Sequence, residues 1–133
     1  MIAAVADTHT AIWYLFADRR LSSRARDAIE QAAAAGRQVG VSAITLAEIV
    51  YLTEKKRIAA DTFRRLLSTL QDPRGPFVEL PVDSGVVSSM AMVPRDQVAD
   101  LPDRIIAATA LRLGVPVISR DRKISGAELR TIW

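Results

Sequence analysis

Short apolar runs alternate with longer stretches of helical spacing along this chain. Residues 2–6 are apolar without interruption and end at Asp7, the pattern of a strand buried on both faces of a parallel sheet. A helix is predicted over 8–16. Ser22 or Ser23 can cap a second helix through 35, with Gly36 as its stop. Residues 38–41 predict a second strand. Ser42 then caps a helix from 43 to about 56, with Lys55 and Lys56 gathered in its last turn. Asp61 is expected to cap a helix over 62–70, and the Asp-Pro-Arg-Gly-Pro run at 72–76 is a break. Residues 77–82 predict strand three, and Asp83 caps a short helix to about 92. A polar loop follows at 93–100. Pro102 suits the first turn of a helix running to 113, with Gly114 as its stop. Residues 115–119 predict strand four, and 129–133 a terminal edge strand.

Strands alternating with helices mean βαβ units around a parallel sheet. The length, 133 residues, argues for one domain over 1–133. Half the residues are hydrophobic and a quarter charged, which excludes a collagen-like or disordered chain. No apolar run reaches the ~18 residues needed to span a membrane, and 1–6 is too short, and lacks the basic start, for a signal peptide. The absence of cysteine excludes disulfides, thiolate metal sites and cysteine nucleophiles. It fits a reducing compartment, and the expected location is cytoplasmic. The lone histidine, His9, excludes both a three-histidine zinc site and a metal-free nuclease with a histidine acid and base. A net charge of +3 permits a polyanionic partner without pointing to one.

The candidate chemistry lies in four carboxylates. Asp7 follows the first strand directly and Asp121 lies two residues past the fourth. In an open parallel sheet, ligands bind beyond the carboxyl ends of the strands; the alternative for either residue is a turn or N-cap role. Glu48 has Ile44, Tyr51 and Leu52 as helical neighbours. A glutamate on an apolar face is costly unless it is paired or cation-bound, and a buried arginine partner is the alternative. Asp103 opens the apolar stripe of Ile106, Ala107 and Ala110, where it could simply favour a helix N-terminus. Asp100, three residues earlier, reads better as the cap of that helix.

Taken together, the four acids can converge on one rim. Two carboxylates about 4 Å apart repel by roughly 4 kcal/mol at an effective dielectric near 20, so four cannot all stay ionised without a cation. Oxygen-only ligands select Mg²⁺ or Mn²⁺. Such a site can orient a water, lower its pKa and neutralise a phosphodiester. Three basic stretches could hold a polyanion or simply be solvated: Arg120, Arg122 and Lys123; Arg19, Arg20, Arg24 and Arg26; and Lys55, Lys56 and Arg57.

At these residues the sequence resembles the PIN-domain family, specifically VapC-type toxins of toxin–antitoxin pairs. The resemblance rests on four blocks in order: Asp7-Thr8-His9 with Ile12-Trp13, then 42–49, 103–111 and 114–121. It implies a three-layer α/β/α sandwich with a mostly parallel central sheet and a Mg²⁺- or Mn²⁺-dependent endoribonuclease. Asp7, Glu48, Asp103 and Asp121 match the family's metal-binding and catalytic acids. The resemblance also implies an RNA substrate, a cognate antitoxin that occludes the site, and a homodimer. For the dimer, the helices at 8–16 and 43–52 carry more apolar surface than one core face requires. The proline before Asp103 is displaced by one position relative to the family's usual segment, which leaves a role for Asp100 open. His9 reads as a packing or supporting residue, and Trp13 and Tyr14 as core or dimer contacts. The competing functions are a PIN-like nuclease acting on DNA and a catalytically silent PIN-like binding module.

Overall fold

The computed structural model describes every residue except 122–123 and 125–128. Five strands form one all-parallel sheet in the order β3-β2-β1-β4-β5. They are β1 (Ile2–Ala6), β2 (Gln38–Ser42), β3 (Phe77–Leu80), β4 (Val117–Ile118) and β5 (Thr131–Ile132). The helices are α1 (Thr8–Leu15), α2 (Ser23–Ala34), α3 (Ala43–Glu54), α4 (Thr62–Gln71), α5 (Ser84–Ser89) and α6 (Leu101–Leu113), with a 3₁₀ turn at Met90–Met92.

Period-two alternation sorts the strands into two apolar faces. Ala4, Ala6, Val39, Val41, Phe77 and Ile118 face one core with Ile12 and Trp13 of α1, Ile29 of α2, Ile49 of α3 and Leu66 of α4. Val5 and Val117 face the other with Val86 of α5 and Ile106, Ala107 and Ala110 of α6. The three-layer sandwich is therefore as expected, with the sheet wholly parallel rather than mostly so.

Topology fixes where a site can form. The chain builds β1, β2 and β3 outward on one side, then crosses to place β4 on the other side of β1, with Val5 opposite Val117 and Ala6 opposite Ile118. The chain leaves β1 into α1, against one core, and leaves β4 toward Ile124, in the other, which opens a crevice at the carboxyl ends of these two strands. Asp7 and Ser119 are the residues that leave them.

Several boundaries differ from expectation for local reasons. Strand four is two residues long, because Val115 donates its N–H to Ala110 O of α6 (3.1 Å) and Pro116 has none to give. Strand three stops before Pro81 for the same want of a donor. Helix α3 ends at Glu54, so Lys55 is its C-cap and Lys56 lies beyond it with φ +57°, not in the last turn. Asp61 sits at the N-cap position of α4 with φ −91° and ψ 5°, yet its side chain caps nothing. It pairs with Arg65 (3.1 Å) and Arg64 (4.0 Å) instead. The caps at Ser22, Ser42 and Asp83 form as expected. Gly114 ends α6 in the left-handed region at φ +68°.

Candidate metal-ion site at the strand ends

Asp7 leaves β1 at the switch point and is buried. Both its carboxylate oxygens are engaged. Oδ1 accepts the Thr10 N–H (2.9 Å) and so caps α1, while Oδ2 accepts the Ser119 hydroxyl. The capping alternative and the rim position thus hold together. Ser119, also buried, accepts the Asp121 N–H at 2.9 Å and ties the β4 exit to the β1 exit.

Glu48 lies in the second turn of α3. The helix buries Thr45 and Ile49, whereas Tyr51, expected beside Glu48 on an apolar face, is 54% exposed. Glu48 Oε1 accepts the Thr8 hydroxyl, and Thr8 Oγ1 lies 3.0 Å from Thr45 Oγ1. Thr8 has one proton and directs it at Glu48, so Thr45 donates to Thr8. This buried hydroxyl relay, rather than an arginine, satisfies the carboxylate. Burial raises the Glu48 pKa most; Asp100 and Asp7 push it further up, and Thr8 and His9 oppose the shift.

Asp103 stands in the first turn of α6, which Asp100 caps by accepting the Asp103 N–H (3.3 Å). Its carboxyl is pushed up to about 7, first by burial and then by Asp100, Glu48, Asp121 and Asp7 in that order. The fold thus brings Asp7, Glu48 and Asp121 within electrostatic range of Asp103 and adds Asp100 as a fifth acid. The ion pairs among the described residues join Asp18 to Arg20 and Asp61 to Arg64 and Arg65; none involves Asp7, Glu48 or Asp103.

Among the described residues, no three His, Asp or Glu side chains stand close enough as placed to grip an ion together. The donor set is oxygen throughout, which fits a hard cation of the Mg²⁺ type, one that keeps several of its waters and takes only one or two carboxylates directly.

His9 is exposed and tilts against Trp13 at 5.5 Å between ring centroids, so it packs as expected. Trp13 is core, 7% exposed and edge-on to Trp133, and Tyr14 packs edge-on to Phe77. Of the basic stretches, Arg122 and Lys123 lie outside the described residues. Arg20 is bound by Asp18 at 3.0 and 2.7 Å. Sequence reasoning assigned no roles to Ser119 and Thr8. The available signal was a hydroxyl residue at the exit of a buried strand, next to or two residues from an acid.

A family model for the PIN domain matches residues 4–128. The chain belongs to the PIN-domain family. Within that family it is 30% identical over 124 residues to Ribonuclease VapC22 of Mycobacterium tuberculosis, covering 93% of this chain and 91% of that protein. Among solved structures, this PIN domain is similar to a chain of VapBC2 from Rickettsia felis bound to a promoter DNA fragment. There the TM-score is 0.71 at 15% identity, over 98% of this chain and 97% of that one. It is also similar to a chain of a toxin–antitoxin complex from Klebsiella pneumoniae, with a TM-score of 0.61 at 25% identity, over 94% and 92%. No helix among the described residues is long and apolar enough to cross a membrane.

Proposed function

We propose that this PIN domain is a divalent-metal-dependent endoribonuclease and the toxin of a toxin–antitoxin pair. The observation that supports it is the set of acids around Asp103. Asp100, Glu48, Asp121 and Asp7 all raise the proton affinity of Asp103, Asp100 and Asp7 raise that of Glu48, and Asp7, Glu48 and Asp103 make no ion pair among the described residues. An arrangement this unfavourable in the bare protein is one that a cation relieves. The relative named as a ribonuclease, and neighbours that are toxin–antitoxin assemblies, support the RNA substrate and an antitoxin partner.

In this function Asp7, Asp103 and Asp121 would hold Mg²⁺ or Mn²⁺, with Glu48 completing the site, and the bound ion would supply a lowered pKa to a water and charge neutralisation to the phosphodiester. Ser119 holds Asp7 Oδ2 in place and links it to the Asp121 backbone. Thr8, oriented by Thr45, fixes one oxygen of Glu48 and leaves the other to orient the attacking water. Water adds to phosphorus in line and the bond to the 3′-oxygen breaks. The products carry a 5′-phosphate and a 3′-hydroxyl. Val50 and Tyr51 on α3, 43% and 54% exposed, supply an apolar patch for a homodimer; no large apolar residue of α1 is similarly exposed.

The test is 5′-end mapping of cellular RNA after brief induction of the wild type and of Asp7→Asn, with thermal melting to establish that both fold. New 5′-phosphate ends in the wild type alone support the function. A 2′,3′-cyclic phosphate product, or equal cleavage by Asp7→Asn, contradicts it.

A further inference from the structure

The acid cluster that holds a cation also repels the RNA, so affinity for the chain on either side of the cut has to come from positive or hydrogen-bonding groups at the rim. One pocket places such groups against the site. It encloses about 260 Å³ and is lined by Asp7, His9, Trp13, Arg120 and Asp121. That is just under the ~300–1,000 Å³ of pockets for drug-sized ligands, a size suited to one sugar–phosphate unit. Asp7 and Asp121 form its acidic side; Trp13, buried and braced by Trp133, forms a rigid wall.

Arg120 is the cation at its mouth. It is exposed, and its guanidinium lies 6.0 Å from the Trp13 ring centroid, within reach of a cation–π contact that steers it over the pocket. Arg20 also lies over Trp13, at 5.1 Å, but Asp18 occupies its fork, so its charge is already matched. His9 lines the same pocket, exposed and set by its packing on Trp13. An arginine fork and an imidazole N–H, beside two acids that shape the opposite wall, suit a phosphate.

We propose that this pocket seats a backbone phosphate of the RNA adjoining the scissile bond, with Arg120 and His9 as positioning residues and Trp13 as the wall that aims them. The proposal rests on the ribonuclease function above. It explains why Arg120 stands next to Asp121: one residue takes the RNA backbone while its neighbour serves the cation, so the scissile bond is registered against the acids.

The test uses the Asp103→Asn protein in EDTA, where cleavage is blocked, and a fluorescent random-sequence 20-nucleotide RNA followed by anisotropy at several salt concentrations. Arg120→Met in this background is expected to weaken binding about tenfold, since it removes one charge-assisted contact, and to lower the slope of log K against log salt by about 0.7, the loss of one phosphate contact on a single strand. Arg120→Lys restores the slope. Arg37→Met, an exposed charge at the amino end of β2 on the opposite rim, leaves affinity and slope unchanged. His9→Gln, which keeps an N–H donor, binds like the background; His9→Phe, which keeps only the ring against Trp13, binds several-fold more weakly. If Arg120→Met binds with unchanged affinity and slope, the pocket is not a phosphate seat and the ribonuclease function stands. If the background protein binds no RNA in EDTA, the pocket is likewise not a phosphate seat, and the ribonuclease function, in which a cation offsets the acids, is decided separately by the 5′-end mapping above.

Discussion

Neutralising Asp103 is expected to make the metal-free protein more stable while it removes activity, and the sign and size follow from the structure. The folded carboxyl has a pKa of about 7 against an ordinary 3.8. The folded state therefore holds this proton more tightly than the unfolded state. Stability is unaffected below about pH 4, falls as pH rises from there through 7, and is then level, with the whole penalty in force at pH 8. A gap of about 3 units corresponds to at most about 4 kcal/mol. The side chain is only partly buried, and solvent and salt screening reduce the penalty to roughly 1–2 kcal/mol. Losing a negative charge from the first turn of α6 gives back about 0.5 kcal/mol. Asp103→Asn should therefore gain about 1 kcal/mol at pH 8 in EDTA, shrinking to less than half of that at pH 5. Urea denaturation followed by tryptophan fluorescence measures both. A variant no more stable than the wild type at pH 8, or one whose gain is larger at pH 5, refutes the electrostatic reasoning.

Three further perturbations probe the supports of the site and its frame. Ser119→Ala removes the hydroxyl that holds Asp7 Oδ2 and accepts the Asp121 N–H; it should cost about 1–2 kcal/mol in urea denaturation and lower cleavage far more than global unfolding explains. Thr45→Val deletes the donor to Thr8 at constant shape, and a loss of about 1 kcal/mol, with slower cleavage as the Thr8–Glu48 contact loosens, is the expected pair of readouts. Gly114→Ala forces a Cβ into the left-handed C-cap of α6 at φ +68°. It should lower stability by about 1 kcal/mol and leave the specific activity of the folded fraction unchanged.

The fold was legible where one physical signal dominated. Uninterrupted apolar runs marked strands buried on both faces, Ser22, Ser42 and Asp83 marked helix starts, and Gly114 marked a stop. Legibility failed where two local demands competed. Asp61 has the right residue type for a cap, but its near-helical backbone turns the carboxylate toward Arg64 and Arg65. Residues 115–119 look like a full strand, yet the helix before them takes the Val115 N–H and Pro116 has none. At the site, the acids could be read from their place at strand ends and helix starts. What satisfies them could not. The partner of Glu48 is Thr8, forty residues away in sequence, and that of Asp7 is Ser119, 112 residues away. Such pairs follow from the strand order, and a local pattern does not carry them. Asp100 reads as a helix cap, and it is one; a further role was left open by the sequence, and the fold turns its charge on Glu48 and Asp103 as well.

The central claim is that these separated acids form one seat for a hard divalent cation. Calorimetric titration of Mn²⁺ into the protein at pH 8, beside the same titration of Asp7→Asn and Asp103→Asn, tests it most directly. Saturable binding to the wild type, lost or strongly weakened in both variants, is the predicted result. No heat of binding in the wild type, or equal binding in all three proteins, contradicts it.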